Sequence, residues 1–183
     1  MNEPAQMSRI DLLRAGYEAW SHGEVDVVVD AFDTAIEWHG HPLLPDPGPD
    51  GGAEDVRRWM HDFLDAWLEL HAEPLAFVEA GDSVIAIVRM TGLGRESGVE
   101  VRGGADVHIW TWDGDRIVRV EIIQGHSAAD RAGLSEPDRE AMRLRFAEGL
   151  DPAEAAARLG VEEAEIEAAT ARVLDGLRTI APA

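Results

Sequence analysis

The period of the hydrophobic pattern changes once, at Glu73-Pro74, and that change confines the fold. Before it, apolar residues recur at helical spacing. Ile10, Leu13, Tyr17 and Trp20 fall 3, 4 and 3 apart, on one face of a helix opened by the N-cap candidate Ser8 and closed by His22-Gly23. EVDVVVDAF predicts a short second helix and TAIEWHG a short strand. PLLPDPGPDGG, with four prolines and three glycines in eleven residues, is a loop. Val56, Met60, Phe63, Trp67 and Leu70, spaced 4, 3, 4 and 3, predict a long third helix over about 53–71. After it, LAFVEA, SVIAIVRMTG, VEVRGGADVHIWTW and RIVRVEIIQ alternate with a period of 2 and read as four strands. Gly81-Asp82 and Asp113-Gly114 mark hairpin turns. Helix, helix, strand, long helix and antiparallel meander define an α+β domain, with its helices segregated onto one face of a curved sheet.

A second boundary, near Leu134, is compositional. All six tryptophans lie between Trp20 and Trp112 and all seven histidines between His22 and His126. Residues 135–183 hold neither type and are rich in Ala, Glu and Arg. The chain therefore divides into a mixed domain over 1–134 and an all-helical extension over 135–183. Its 36 acids against 16 bases, every base an arginine, leave a formal charge of -20. Such a balance disfavours nucleic acid, where cations must replace the counterions of the phosphates, and anionic membrane surfaces. No cysteine is present, which removes disulfides, thiolate metal sites and a cysteine nucleophile. MNEPAQMSRIDLL is not a secretion signal and no apolar run is long enough to span a bilayer, so the expected location is cytoplasmic.

RAGYEAWSHGEVD, AIEWHGHP entering the proline-rich loop, GAEDVRRWMHDFLDAW, AGDSVIAIVRMTGLGRESG, HIWTWDGDRIVRVEI and AADRAGLSE follow one another in an order that resembles the nuclear-transport-factor-2-like superfamily, in particular its SnoaL-like branch of small bacterial proteins. The resemblance covers residues 8–134. It implies a cone: a bent sheet, cystatin-like, wraps the long helix and leaves a mostly apolar pocket at its open end. Members include polyketide cyclases, ketosteroid isomerase, limonene epoxide hydrolase and dehydratases, so the fold implies a pocket and not a reaction.

Carried over residue by residue, the resemblance is incomplete. The isomerase base position falls on Trp38, and an indole cannot abstract a proton. The tyrosine of the first helix matches Tyr17, an oxyanion donor or a plain wall residue. The isomerase's neutral acid falls on Val107, with Asp106 one residue away; a bulge at Gly103-Gly104 would correct that register. The last strand ends Ile122-Ile123-Gln124-Gly125-His126, where relatives often carry Asp; Gln124 can polarise a carbonyl and His126 can act as a base or lie on the surface. No Arg-x-Asp pair for epoxide hydrolysis stands on the matching strand.

His39 and His41, two apart, share a strand face; one is expected at the pocket mouth, one in solvent. A metal would need a third ligand from Glu37, His61 or Asp65, and no spacing is diagnostic, so no metal and no cofactor are expected. The candidate polar groups are Tyr17, His39, His41, Gln124 and His126. The candidate ligand-binding walls are Trp20, Trp38, Phe63, Trp67, Val107, Ile109, Val120 and Ile122. In that register the alternating ridge of His108, Trp110 and Trp112 falls on the outer sheet face, where an aromatic stripe needs cover, and a homodimer through this ridge is expected, with a pocket role for His108 as the alternative. In the extension, Ser135 and Asp151 are N-caps, the latter with Glu154 in a capping box. Leu150, Ala155, Leu159, Val161, Ile166 and Val173 are expected to form a small core of the extension's own. AEAAARLGVEEAEIEAA resembles a helix-turn-helix, but Glu162, Glu163, Glu165 and Glu167 on its reading helix would repel phosphates, so a lid or a dimer-stabilising tail is favoured.

Together these readings predict a small-molecule pocket protein, an enzyme doing proton-transfer cyclisation, isomerisation or hydration on a small apolar cyclic substrate. The alternatives are a non-catalytic binding or sensing domain and a dimeric scaffold whose tail holds a protein partner.

Overall fold

The computed structural model describes residues 7–40, 48, 49 and 51–182. The first helix, α1 (Arg9–Ser21), begins where its cap predicts: the Ser8 hydroxyl accepts from the Asp11 amide at 3.1 Å, taking one of the donors that a helix start leaves unpaired. Its buried stripe includes Leu13, Gly16, Tyr17 and Trp20. The short α2 (Asp26–Val29) packs against it. A Cβ at Gly16 would stand 3.0 Å from Val28 Cβ, so the missing side chain sets how closely these two helices approach. Strand β1 (Phe32–His39) and helix α3 (Ala53–Asp65) follow.

Helix α3 stops six residues short of the expected 53–71, and Trp67 and Leu70 belong instead to strand β2 (Trp67–Ala80). The cause is tertiary. Arg95 satisfies the carbonyls at the helix end: its amide bonds Ala66 O at 2.9 Å, and its guanidinium donates to Asp65 O at 2.7 Å and Trp67 O at 2.8 Å. A sheet partner is also at hand. Trp67 pairs with Gly94 and Leu70 with Gly92, and the Trp67 ring fills the space that Gly92 leaves, since a Cβ there would lie 2.6 Å from it. Strand β2 continues through Pro74 at a register shift, on the sheet edge, where a residue without an N–H is tolerated.

Strands β3 (Ser83–Gly94), β4 (Glu100–Asp113) and β5 (Arg116–Gln124) complete a five-stranded sheet of order β1-β5-β4-β3-β2, in which β1 runs parallel to β5 and the other neighbours are antiparallel. Two bulges set which side chains face which way. Arg89 pairs with Ala105 but Thr91 with Arg102, so β4 carries an extra residue at Gly103-Gly104, as the sequence suggested. Thr111 pairs with Arg119 but Trp112 with Ile117, so Val118 is an extra residue in β5. The turn sits at Gly114-Asp115, one residue later than expected.

That second bulge reverses a face. With Val118 unpaired, Trp110 stands opposite Val120 and His108 opposite Ile122. Residues directly opposite share a face, so His108, Trp110 and Trp112 point inward with Val120 and Ile122. The expected inward Val107 and Ile109 point outward. A one-residue change of register moves a whole row to the other side.

The inner face packs on α1, α2 and α3 around Leu13, Tyr17, Trp20, Trp38, Met60 and Trp110. The outer face is covered by α4 (Gly125–Arg131) and by the extension: α5 (Glu136–Met142), a π-helical turn Arg143–Ala147, α6 (Pro152–Leu159) and α7 (Glu163–Leu177). Ile85, Ile87, Val107 and Ile109 of the sheet meet Met142, Phe146, Val173 and Leu177 of the extension in one core. Ser135 caps α5, and Asp151 with Glu154 closes the capping box of α6. The extension's own core is smaller than expected: Leu144, Ala155, Ala156 and Ile166 with Leu150, while Val173 joins the sheet and Leu159 and Val161 are exposed. Buried Asp138 ties α5 to α7 by accepting from Arg172 Nε at 3.0 Å and Nη2 at 2.8 Å. Among the described residues no helix is long and apolar enough to cross a membrane.

Candidate functional site

The inner row of the last hairpin leads to a buried polar trio. His108 on β4 is 1% exposed, and its Nδ1 lies 2.9 Å from the Tyr17 hydroxyl of α1. Trp110, two residues on along the same face, donates its indole N–H to the same hydroxyl at 2.9 Å. An indole nitrogen only donates, so the Tyr17 oxygen accepts there. Two arrangements satisfy the contact: the Tyr17 O–H donates to Nδ1 and the imidazole proton sits on Nε2, or Nδ1–H donates to the Tyr17 oxygen and Nε2 is the basic position of the ring. Burial pushes the Tyr17 phenol far above its ordinary range, and the Trp110 hydrogen bond offsets this only in part. Tyr17 therefore keeps its proton and is no base; in the second arrangement its oxygen holds the Nδ1 proton of His108, as the third member of a relay does for a catalytic imidazole.

These groups line a small buried cavity together with Leu13, Trp20, Trp38, Met60 and Ile122. Its free space is about 10 Å³, room for about one water. A larger ligand enters only if the surrounding side chains move. The wall residues Trp20, Trp38 and Trp110 belong to a continuous aromatic array. Trp38 meets Trp110 edge-on at 6.5 Å and Trp59 at 5.6 Å, Trp59 stacks on Phe63 at 5.3 Å, and Phe63 meets Trp20 at 6.0 Å. Among the described residues, the buried indole N–H groups of Trp20 and Trp38 have no hydrogen-bond acceptor, and no Asp or Glu lines the cavity.

The expected site residues thus separate into several places. Tyr17, Trp20, Trp38 and Ile122 come together in the cavity. Val120 belongs to the core behind it and Phe63 to the half-buried aromatic array. Trp67 lies over Gly92, away from His108, because it sits on β2. Val107 and Ile109 are in the outer core, for the reason of register given above. His39 points away from the cavity, half-exposed and 3.5 Å from Glu37; His41 lies outside the described residues. Gln124 and His126 line a different cleft, at the seam between the sheet and the extension, with Asp106. Among the described residues no group of three His, Asp or Glu gathers as for a metal. The ridge expected to form a dimer face is interior: His108, Trp110 and Trp112 are 1%, 4% and 4% exposed, and the outer face carries aliphatic residues under the extension.

His108 is the residue that sequence reasoning assigned to the wrong place. Its alternation with Trp110 and Trp112 was visible; what decided its face was the unpaired Val118, which no local residue type announces.

A bent five-stranded sheet with one face wrapped on helices is the architecture of the nuclear-transport-factor-2-like fold. Residues 13–120 match the family model of the SnoaL-like domain, and the chain belongs to that family. No curated protein matches the chain in sequence. Among solved structures, it is similar to an uncharacterized cystatin-fold protein from Novosphingobium aromaticivorans, with 23% identity and a TM-score of 0.56 over 64% of this chain and 99% of that one. An NTF2-like protein from Burkholderia thailandensis has 25% identity and a TM-score of 0.54, over 61% and 85%. A candidate SnoaL-like polyketide cyclase from Jannaschia sp. CCS1 has 13% identity and a TM-score of 0.54, over 67% and 90%.

Proposed function

We propose that this protein is an enzyme that moves a proton on a small, apolar, cyclic carbonyl compound held in the aromatic cavity, in a cyclisation, isomerisation or hydration. The observation that carries the reading is the Tyr17–His108–Trp110 trio: a titratable imidazole, buried in an apolar cavity and held by a phenol that cannot ionise. His108 is the proton-handling group and Tyr17 its positioning residue. The indoles of Trp20 and Trp38 support a substrate with oxygen acceptors, because a buried donor without a partner costs about 1–3 kcal/mol that an acceptor would recover. Family membership supports a pocket function, and one structural neighbour is described as a candidate polyketide cyclase.

The test is solvent deuterium exchange at the α-carbons of a panel of cyclic ketones, followed by NMR. The expected result is exchange above a buffer blank by the wild type, lost in His108→Ala and slowed, with a shifted pH profile, in Tyr17→Phe. A ligand that shifts tryptophan emission without any exchange would instead establish the second reading, a non-catalytic binding domain. The absence of a carboxylate from the described cavity wall favours that second reading.

A further inference from the structure

Beyond His108 the inner row ends in the pair Asp106 and Gln124, and there β5 leaves the sheet into α4 while α5 crosses in front of it. Between them lies an open cleft of about 570 Å³, within the range of about 300–1,000 Å³ usual for small-molecule sites. It is distinct from the buried cavity of His108, and six of its fourteen lining residues belong to the extension. Its floor is apolar: Ala105, Ala129 and Met142 are 7%, 3% and 4% exposed. Part of one wall is bare backbone. A Cβ added at Gly104 would meet nothing within 4 Å, and the residue has no positive φ to forbid one.

The polar groups on the rim are unequally engaged. Both cations are already matched, Arg139 by Asp130 and the Leu134 carbonyl, Arg143 by Glu140 and Glu148. Gln124, His126 and Glu136, in contrast, make no side-chain hydrogen bond or ion pair among the described residues. What the cleft offers a ligand is therefore an unengaged carboxylate, an amide and an imidazole above an apolar floor, in a chain of formal charge -20. An anion would meet Glu136 with no cation left to answer it. A neutral apolar molecule would use the floor and leave the carboxylate idle.

We infer that this seam is a second small-molecule site, one that takes a compact organic cation: a primary ammonium on a short apolar body. The ammonium ion-pairs with Glu136 and donates to the Gln124 side-chain oxygen; the body covers Ala105 and Met142. Because Glu136 and Met142 belong to α5, the site exists only while the extension is docked on the sheet, so the ligand also fastens the extension in place.

Benzylammonium is a suitable probe, with benzyl alcohol as its neutral isostere and benzoate as the anion, titrated into the full chain and followed by backbone amide NMR. The expected result is saturable movement of the Gly104, Gly125 and His126 amides by benzylammonium, at least tenfold weaker affinity for benzyl alcohol, and no response to benzoate. Glu136→Gln should lower benzylammonium affinity about tenfold and leave benzyl alcohol unchanged. Gly104→Leu should abolish both while leaving tryptophan emission and Tm as in the wild type. Equal affinity for the ammonium and the alcohol, or binding unaffected by both substitutions, overturns the inference. So does movement confined to the Trp20 and Trp38 indole signals, which would place the probe in the His108 cavity.

Discussion

The two faces of one sheet are built from different materials. The inner face presents His108, Trp110 and Trp112 and meets helices rich in aromatic side chains; the outer face presents Ile85, Ile87, Val107 and Ile109 and meets helices whose side chains are aliphatic apart from Phe146. Aromatic rings are large, rigid and carry polar edges, so their packing leaves a hole with donors on its walls. Branched aliphatic chains interdigitate and bring no donors of their own. The inner face holds the buried polar trio, and the outer face is where the extension is held.

The largest expected effect comes from breaking the device that separates the faces. Deleting Val118 removes the bulge and forces β4 and β5 to disagree about which row is inward. We expect loss of a cooperative urea transition, read by far-ultraviolet circular dichroism; a variant that unfolds like the wild type would show that the bulge does not set the faces. Next comes the outer face alone. Leu177 is fully buried between the extension and the sheet, so Leu177→Ala should cost about 2–5 kcal/mol. All six tryptophans lie on the inner side, so the folded variant should keep its emission maximum; a red shift would mean the faces are not independent.

Smaller effects sharpen the inner face and the extension. Tyr17→Phe leaves the Trp110 indole and His108 Nδ1 without their shared partner, for a loss of about 1–3 kcal/mol in urea unfolding. The smallest effect is expected from Asp138→Asn. Burial would raise the Asp138 carboxyl, but hydrogen bonds from Arg172 and Ser135 and the Arg172 charge outweigh it and hold the group below its ordinary value. A carboxyl lowered on folding contributes stability above its unfolded pKa, about 3.9, and loses it as pH falls through the lower folded value. At pH 7 the wild type should exceed the variant by about 1–2 kcal/mol, and Tm measured against pH should show the gap closing below about pH 4.

Much of this architecture was legible in the sequence because it rests on local chemistry. Ser8, Ser135 and Asp151 cap helices by bonding amides three residues away, and the strands alternate because their two faces meet different surroundings. What was illegible depends on distant partners. The early end of α3 is imposed by Arg95, 30 residues on, and the apolar spacing of Trp67 and Leu70 fits a helix as well as it fits a strand bent around Gly92. For the site, the sequence identified Tyr17, Trp20, Trp38 and Ile122 but grouped them with His39, Gln124 and His126, which lie elsewhere. It set His108 outside, because a face assignment inherits every register error between it and the turn.

Val118 also bears on how knowledge passes between relatives. A homologue whose last hairpin lacks the unpaired residue would align with this chain through almost every position of β4 and β5, and a single gap would absorb the difference. Yet on one side of that gap, matched columns hold pocket residues in one protein and residues facing the opposite way in the other. In this family a catalytic residue can be copied across an alignment only after the bulges of the last hairpin have been counted.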